Sequence, residues 1–256
     1  MDGTILVVGD VTEDIDDFYE QTKERDGYPV LERRAKGWRY GCAAAVDAMV
    51  RELGSRVHTC GDFDNICTKR RLVVGNKVMC RLDHEMPGLP VRNVPGWISS
   101  AQLVLIADYA KGAVDEQTMA DIEKASHGLE IIADFHPSRS IDFYHCATAL
   151  KASWDAPHDD RPFIRTMGAD GMLLKIGGGE IHFPAYNTHP LDPCGAGDMV
   201  LATLGVGRLM GMGWIECCQW ASHNAAEVCR HWGSVPVKSQ WGPWRGEANE
   251  LAARAS

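Results

Sequence analysis

The sequence predicts an α/β domain whose strands are covered on both faces, and three observations carry that reading. Short apolar runs, Ile5 to Val8, Leu103 to Ala107 and (with one acid) Leu129 to Ala133, have the length of strands and lack polar alternation, the pattern of strands buried on both sides. Between them lie segments with helical composition and punctuation. Gly41 to Gly54 is Ala-rich and closes on a glycine, and Asp115 to His127 opens on a capping acid with Gly128 past its end. Each apolar run also ends on a polar loop, at Gly9-Asp10, Asp108-Tyr109 and Asp134-Phe135, and ligands of open α/β sheets gather at such strand ends.

Composition bounds the function. The chain has 256 residues, enough for one substantial core, with 45% hydrophobic and 24% charged residues. Its 35 acids and 26 bases leave a net charge of -9, which argues against a nucleic-acid-binding surface. No apolar run approaches the length of a membrane span. Met1-Asp2-Gly3-Thr4 leads directly into the first apolar run, with no basic leader or cleavage pattern, so the expected location is the cytoplasm. Nine cysteines without a C-x-x-C pair fit reduced thiols, and no metal site is expected from them.

In chain order, Ile5 to Val8 is the first strand and Asp10, Asp14, Asp16 and Asp17 follow it; taken alone, these acids suit a solvated loop or a helix start. Val30 to Arg33 suits an edge strand. Val57 to Cys60 reads as the next sheet strand, and Arg71 to Asp83 as a hairpin about Gly75-Asn76 whose basic residues could line an exposed face. Phe163 to Leu174 reads as a strand pair, Gly177-Gly178-Gly179 as a tight turn, and Glu180 to Phe183 as the return strand. Leu201 to Gly211 and Trp214 to Trp232 are the last two helices of the domain.

The chemistry concentrates in Leu191-Asp192-Pro193-Cys194-Gly195-Ala196-Gly197-Asp198-Met199, a glycine turn that opens a helix. Amides of Gly195, Ala196 and Gly197 at a helix N-terminus favour an anion, and a carboxylate at Asp198 can take a proton from a hydroxyl that attacks a phosphate. The competing reading is a glycine loop with Asp198 as a helix cap.

D-P-C-G-A-G-D resembles the D-x-x-G-A-G-D signature of the ribokinase-like (PfkB) carbohydrate kinases, with Cys194 where Thr is common and Met199 after the acid. The resemblance runs from about residue 5 to 238, with two deletions, and is nearest to the heptose 7-phosphate kinases of that family. It implies a mostly parallel central sheet with helices on both faces and a small β-lid, from about 26–40 and 68–84. It also implies one domain over 1–238, followed by an extension at 239–256. ATP and Mg2+ are the implied cofactors and a sugar or sugar phosphate the implied partner, in a homodimer formed through the lid.

Residue by residue, the resemblance makes Asp198 the catalytic base and Gly195, Ala196 and Gly197 the anion hole. Asp14, from G-D-x-x-x-D, holds sugar hydroxyls; Gly41 opens the helix that faces the sugar. Lys69 and Arg81 come from the lid, while Asp108 and Lys111 belong to D-Y-A-K-G, which matches the heptose kinases' D-Y-x-K-G. Asn224, Asp192 and Gly171 fall on the nucleotide side. Four departures bear on activity. Cys42 replaces a glycine, Ala45 an asparagine, and His136 the lysine of D-P-K, while Ser153 and Asp155 stand where P-N-x-x-E is usual. The implied activity is phosphoryl transfer from ATP to C1 of heptose 7-phosphate. A kinase of another sugar or nucleoside, or a weakly active relative that binds or assembles, are the alternatives.

Overall fold

The computed structural model describes residues 3–154, 160–186 and 189–236; Asp155 and the expected extension at 239–256 lie outside the described residues. The chain enters through β1 (Thr4–Gly9), runs out along β2 (Val11–Arg25), comes back along β3 (Tyr28–Cys42), and continues into α1 (Ala43–Glu52) and β4 (Arg56–Cys60). It leaves again as a hairpin, β5 (Cys67–Val74) and β6 (Lys77–His84), before α2 (Val94–Ile98). The second half alternates β7 (Leu103–Ala107), α3 (Glu116–Ser126), β8 (Glu130–Asp134), β9 (Ala149–Ala152) and β10 (Phe163–Thr166). Then come β11 (Met172–Ile176), β12 (Gly179–Phe183), α4 (Ala196–Leu209) and α5 (Trp214–Val228).

Eight strands form the central sheet in the order β12-β11-β10-β9-β8-β7-β1-β4. It is parallel from β4 to β10, and β11 and β12 join antiparallel. Alternation along β1 sends Ile5 and Val7 to one face and Leu6 and Val8 to the other. The first face is covered by α1, α4 and α5 through Met49, Leu201, Leu204 and Cys217; the second by α2 and α3 through Val94, Ile98, Met119 and Ile122. Each such side chain contributes roughly 1.5–3 kcal/mol on burial. α3 begins as expected, with Asp115 accepting from Thr118 N at 2.8 Å, and its C-cap His127 is left-handed at φ 42. α4 starts earlier than the apolar run suggests, at Ala196, so Asp198 lies in its first turn.

β3, β2, β5 and β6 make a separate four-stranded sheet over the strand ends, the lid. It takes in more chain than the sequence suggests, because Val11 to Arg25 is a strand and not a loop of solvated acids. The acids are buried against arginines of the neighbouring strands: Asp16 pairs with Arg39 and Arg71, and Asp17 with Arg33 and Arg70. The edge strand expected at Val30 to Arg33 is part of the fifteen-residue β3.

Two residues at the end of β1 fix the strand-end loops. Asp10 accepts from three amides of the β7 exit loop, Tyr109 N at 2.7 Å and Lys111 N at 3.1 Å on Oδ2, and Ala113 N at 2.9 Å on Oδ1. At Gly9, a Cβ would lie 2.1 Å from Ala107 O, a backbone atom that cannot step aside. Gly9→Ala is therefore expected to destabilise by about 4 kcal/mol or more. Gly75→Ala, at φ 60 on a hairpin tip with nothing within 4 Å, should cost only about 1–2 kcal/mol. Urea unfolding of the two variants checks the contrast.

Candidate active site

Gly195 adopts a left-handed conformation (φ 85) as the N-cap of α4, and the helix then points its first turn at the strand ends. A Cβ at Gly195 would meet Ser234 at 2.4 Å, whereas one at Gly197 would meet only Lys151 Nζ, at 3.1 Å. The amides of Gly195 and Gly197 have no backbone acceptor among the described residues, as an anion hole requires. Ala196 departs from expectation. Its N–H donates to Pro193 O at 3.2 Å, closing the turn, so it does not point out of the hole.

Asp198 is 7% exposed. Tyr109 donates its phenol to Oδ1 at 2.6 Å, while Oδ2 has no hydrogen-bond donor among the described residues. Burial pushes this carboxyl up to about 6, held there against the lowering pull of the Tyr109 bond and the Lys151 and Lys69 charges. Tyr109 is half-buried and stays a phenol, its ionisation pushed well up by desolvation and by Asp198.

The lid supplies the other wall. Asp14 and Lys69 are register partners on β2 and β5. Asp14 is buried and accepts from Thr12 Oγ1 at 3.1 Å. Lys69 Nζ lies 3.8 Å from Cys42 Sγ and 5.5 Å from the Tyr109 ring centre. Burial opposes the Lys69 charge, but Cys42, Asp14 and Asp198 outweigh it and leave the ammonium above its ordinary value. Cys42 is a thiol, because burial pushes it far above its ordinary range. Arg81 grips Asp83 with two bonds, 2.6 and 2.7 Å, at the lid's exposed edge. Gly41 is what lets this corner close: a Cβ there would lie 2.4 Å from Thr12 Oγ1 and 2.8 Å from Asp14 Oδ2.

Several other expected contacts turn out to hold the site together from behind. Asp108 receives Tyr144 OH at 2.5 Å and Ala110 N at 2.8 Å, so both oxygens are used in shaping its own loop. Lys111 Nζ pairs with Glu85 just beyond β6, tying that loop to the lid. Asp192, expected at the nucleotide, accepts from Cys194 N at 3.1 Å and Gly233 N at 2.7 Å and pairs with Arg71 at 2.7 Å. Gly171 packs against the chain, since a Cβ would lie 2.2 Å from Phe183 O. Asn224 is buried and donates Nδ2 to Thr203 Oγ1 at 3.1 Å, joining α5 to α4. Asp14, Lys69 and Asp198 are thus brought together, while Asp108, Asp192, Gly171 and Asn224 take supporting places.

Sequence reasoning gave no role to Tyr109 or Lys151. Tyr109 sat in the quoted D-Y-A-K-G match, and Lys151 was visible as a lone base in the apolar run Ala149-Leu150-Lys151-Ala152. Arg71, which the sequence places among the basic residues of the lid hairpin, bridges Asp16 of the lid to Asp192 of the glycine turn.

An incoming ATP fits the turn: Gly195 and Gly197 offer amides, and the buried Ser234 hydroxyl beside Gly195 has no hydrogen-bond partner. Mg2+ is different, because no group of three His, Cys, Asp or Glu among the described residues could hold a metal. Among those residues, no helix is long and apolar enough to cross a membrane.

Solved structures place the chain in the ribokinase-like fold. A ribokinase from Thermotoga maritima superposes with a TM-score of 0.69 at 15% identity, covering 98% of this chain and 99% of that one. A putative ribokinase from Agrobacterium tumefaciens gives 0.71 at 14%, covering 98% of each. Residues 147–240 match the model of the pfkB family carbohydrate kinases. The bifunctional protein HldE of Methylobacillus flagellatus is 26% identical over 223 residues, 73% of this chain and 46% of that protein. The D-beta-D-heptose 7-phosphate kinase of Bordetella bronchiseptica is 25% identical over 222 residues, 75% of this chain and 71% of that protein. The chain thus spans about half the length of the HldE relatives it matches.

A carboxyl that is harder to ionise in the fold than in the unfolded chain costs stability wherever it is charged. Asp198, raised from 3.8 to about 6, carries that cost above pH 6. Asp198→Asn removes it and keeps an acceptor for Tyr109. The variant is therefore expected to melt at or above the parent's Tm at pH 7.5, with any advantage shrinking as pH falls below 6. Thermal unfolding at pH 7.5 and 4.5 checks the sign.

Proposed function

We propose that this protein transfers the γ-phosphoryl group of ATP to a hydroxyl of a sugar phosphate, with C1 of heptose 7-phosphate as the leading acceptor. The observation that carries the reading is Asp198 Oδ2, without a hydrogen-bond donor among the described residues, in the same helical turn as the open amides of Gly195 and Gly197. The sugar hydroxyl loses its proton to Asp198 as its oxygen attacks the γ-phosphorus; the bond to the β–γ bridging oxygen breaks, and ADP leaves. The amides meet the negative charge on the transferring group. Asp14 holds sugar hydroxyls, and Lys69 with Arg81 meets the sugar's own phosphate, which suits basic groups on the lid. ATP would arrive with Mg2+ on its phosphates, which needs no cage of protein ligands.

Support for heptose comes from the names of the relatives and from D-Y-A-K-G. One observation keeps a different acceptor open: Cys42, where the resemblance expects glycine, sits at φ 58 with its thiol against Lys69 and narrows the sugar corner. We also assign a homodimer formed through the lid, whose strands expose Trp38, Met79 and Leu82. A reducing, cytoplasmic location accords with nine unpaired cysteines.

The test is ADP release from ATP with Mg2+ across a panel of sugars, sugar phosphates and nucleosides. Heptose 7-phosphate is expected to give the highest kcat/KM, and Asp198→Asn to lower kcat by about 10²–10⁴-fold, the worth of a positioned base. Equal turnover by Asp198→Asn would remove Asp198 from the mechanism. Preference for a different acceptor would replace heptose and leave the kinase in place.

A further inference from the structure

Lys151 is a cation buried beneath the glycine turn, and among the described residues it makes one hydrogen bond of a possible three. It lies near the end of β9, in register with Asp134 of β8, and its side chain is 4% exposed. Nζ donates to Asp134 Oδ2 at 2.5 Å, its single hydrogen bond among the described residues. An ammonium has three N–H groups, so two have no acceptor among the described residues. Leaving charged donors unpaired and buried is costly, and a bare ion pair with Asp134 would gain little over two apolar residues of similar volume. Directly ahead of Nζ is Gly197. The position of a Cβ on Gly197 is 3.1 Å away, and the absence of that atom leaves the ammonium facing the first turn of α4.

We propose that Lys151 contacts the transferred phosphoryl group, as the fixed positive charge of the anion hole formed by Gly195 and Gly197. The assignment rests on the kinase reading above and adds to it a residue that the family resemblance does not supply. It also explains a departure noted in the sequence. His136 stands where the resemblance expects a lysine, and its Nδ1 is engaged by Ser138 Oγ at 2.8 Å. The charge missing at residue 136 reaches the site from the neighbouring parallel strand instead. Asp134 then acts as a positioning residue that holds the ammonium beneath the turn. The Ala196 amide, lost to Pro193, leaves the hole one donor short, and Lys151 makes up for it.

Lys151→Met alone would strand Asp134 as a lone buried charge, so the informative variant is Lys151→Met/Asp134→Asn, which buries no net charge. Two quantities are measured on parent and variant with Mg2+ present. One is kcat and KM on the preferred acceptor; the other is the gain in ADP affinity, by calorimetry, when aluminium fluoride is added to mimic the moving phosphoryl group. The variant is expected to lose about 10²–10³-fold in kcat, the cost of one anion-hole donor, and most of the aluminium fluoride gain. KM for the sugar and affinity for ADP alone should stay within about threefold, because Lys151 faces neither the sugar nor the adenosine. A folded variant that keeps kcat within about threefold and keeps the gain overturns the assignment and leaves the kinase intact. A parent that shows neither turnover nor gain overturns the kinase reading, and the role of Lys151 with it.

Discussion

The structure depends on a carboxylate held in a buried pocket that, on the proposed function, also receives a polyanion. On the proposed mechanism Asp198 must be an anion to take a proton, yet burial favours its neutral form and a phosphate brought beside it would repel it. Three features offset these costs. Tyr109 donates to one oxygen, Lys151 and Lys69 bring positive charge from two different elements, and the α4 N-terminus directs its amides to the same place. The result is a carboxyl at about 6, charged at neutral pH but still basic enough to accept a proton.

Much of the remaining architecture holds those groups in register. Asp10 gathers three amides of the loop that carries Tyr109 and so sets the phenol's height over the sheet. Arg71 reaches from β5 to Asp16 and to Asp192, which in turn accepts from the amides of Cys194 and Gly233. This chain of charge-assisted bonds ties the lid, the glycine turn and the loop at Gly233 into one unit. Phe18 on the lid meets Trp232 edge-on at 5.7 Å and adds an apolar contact at the same seam. A lid fastened this way brings Asp14 and Lys69 towards Asp198 without help from a bound ligand.

Much of this could be read from the chain, and the failures have a common cause. β1, β7 and β8 were legible because strands covered on both faces carry uninterrupted apolar runs. α3 was legible because Asp115 and Gly128 mark its ends locally, and the glycine turn because Gly195 and Gly197 meet a conformational demand. β2 was not, since Asp14, Asp16 and Asp17 look solvated until arginines from distant strands arrive beside them. Nor do the motif positions of Asp108 and Asp192 reveal the partners these residues have within the chain. Their hydrogen bonds come from Tyr144, Gly233 and Arg71, partners that no local pattern announces. Lys151 escaped notice because it falls where the resemblance breaks down.

The most direct test of this account is a carbon-13 NMR titration of the aspartate side-chain carboxyls, with Asp198→Asn supplying the assignment. Asp198 should titrate at about 6, and higher still in Tyr109→Phe, where the phenol bond that favours the charged form is gone. Titration at the ordinary value of 3.8, unmoved by Tyr109→Phe, would mean that Asp198 is solvated, and the buried base on which the site depends would not exist.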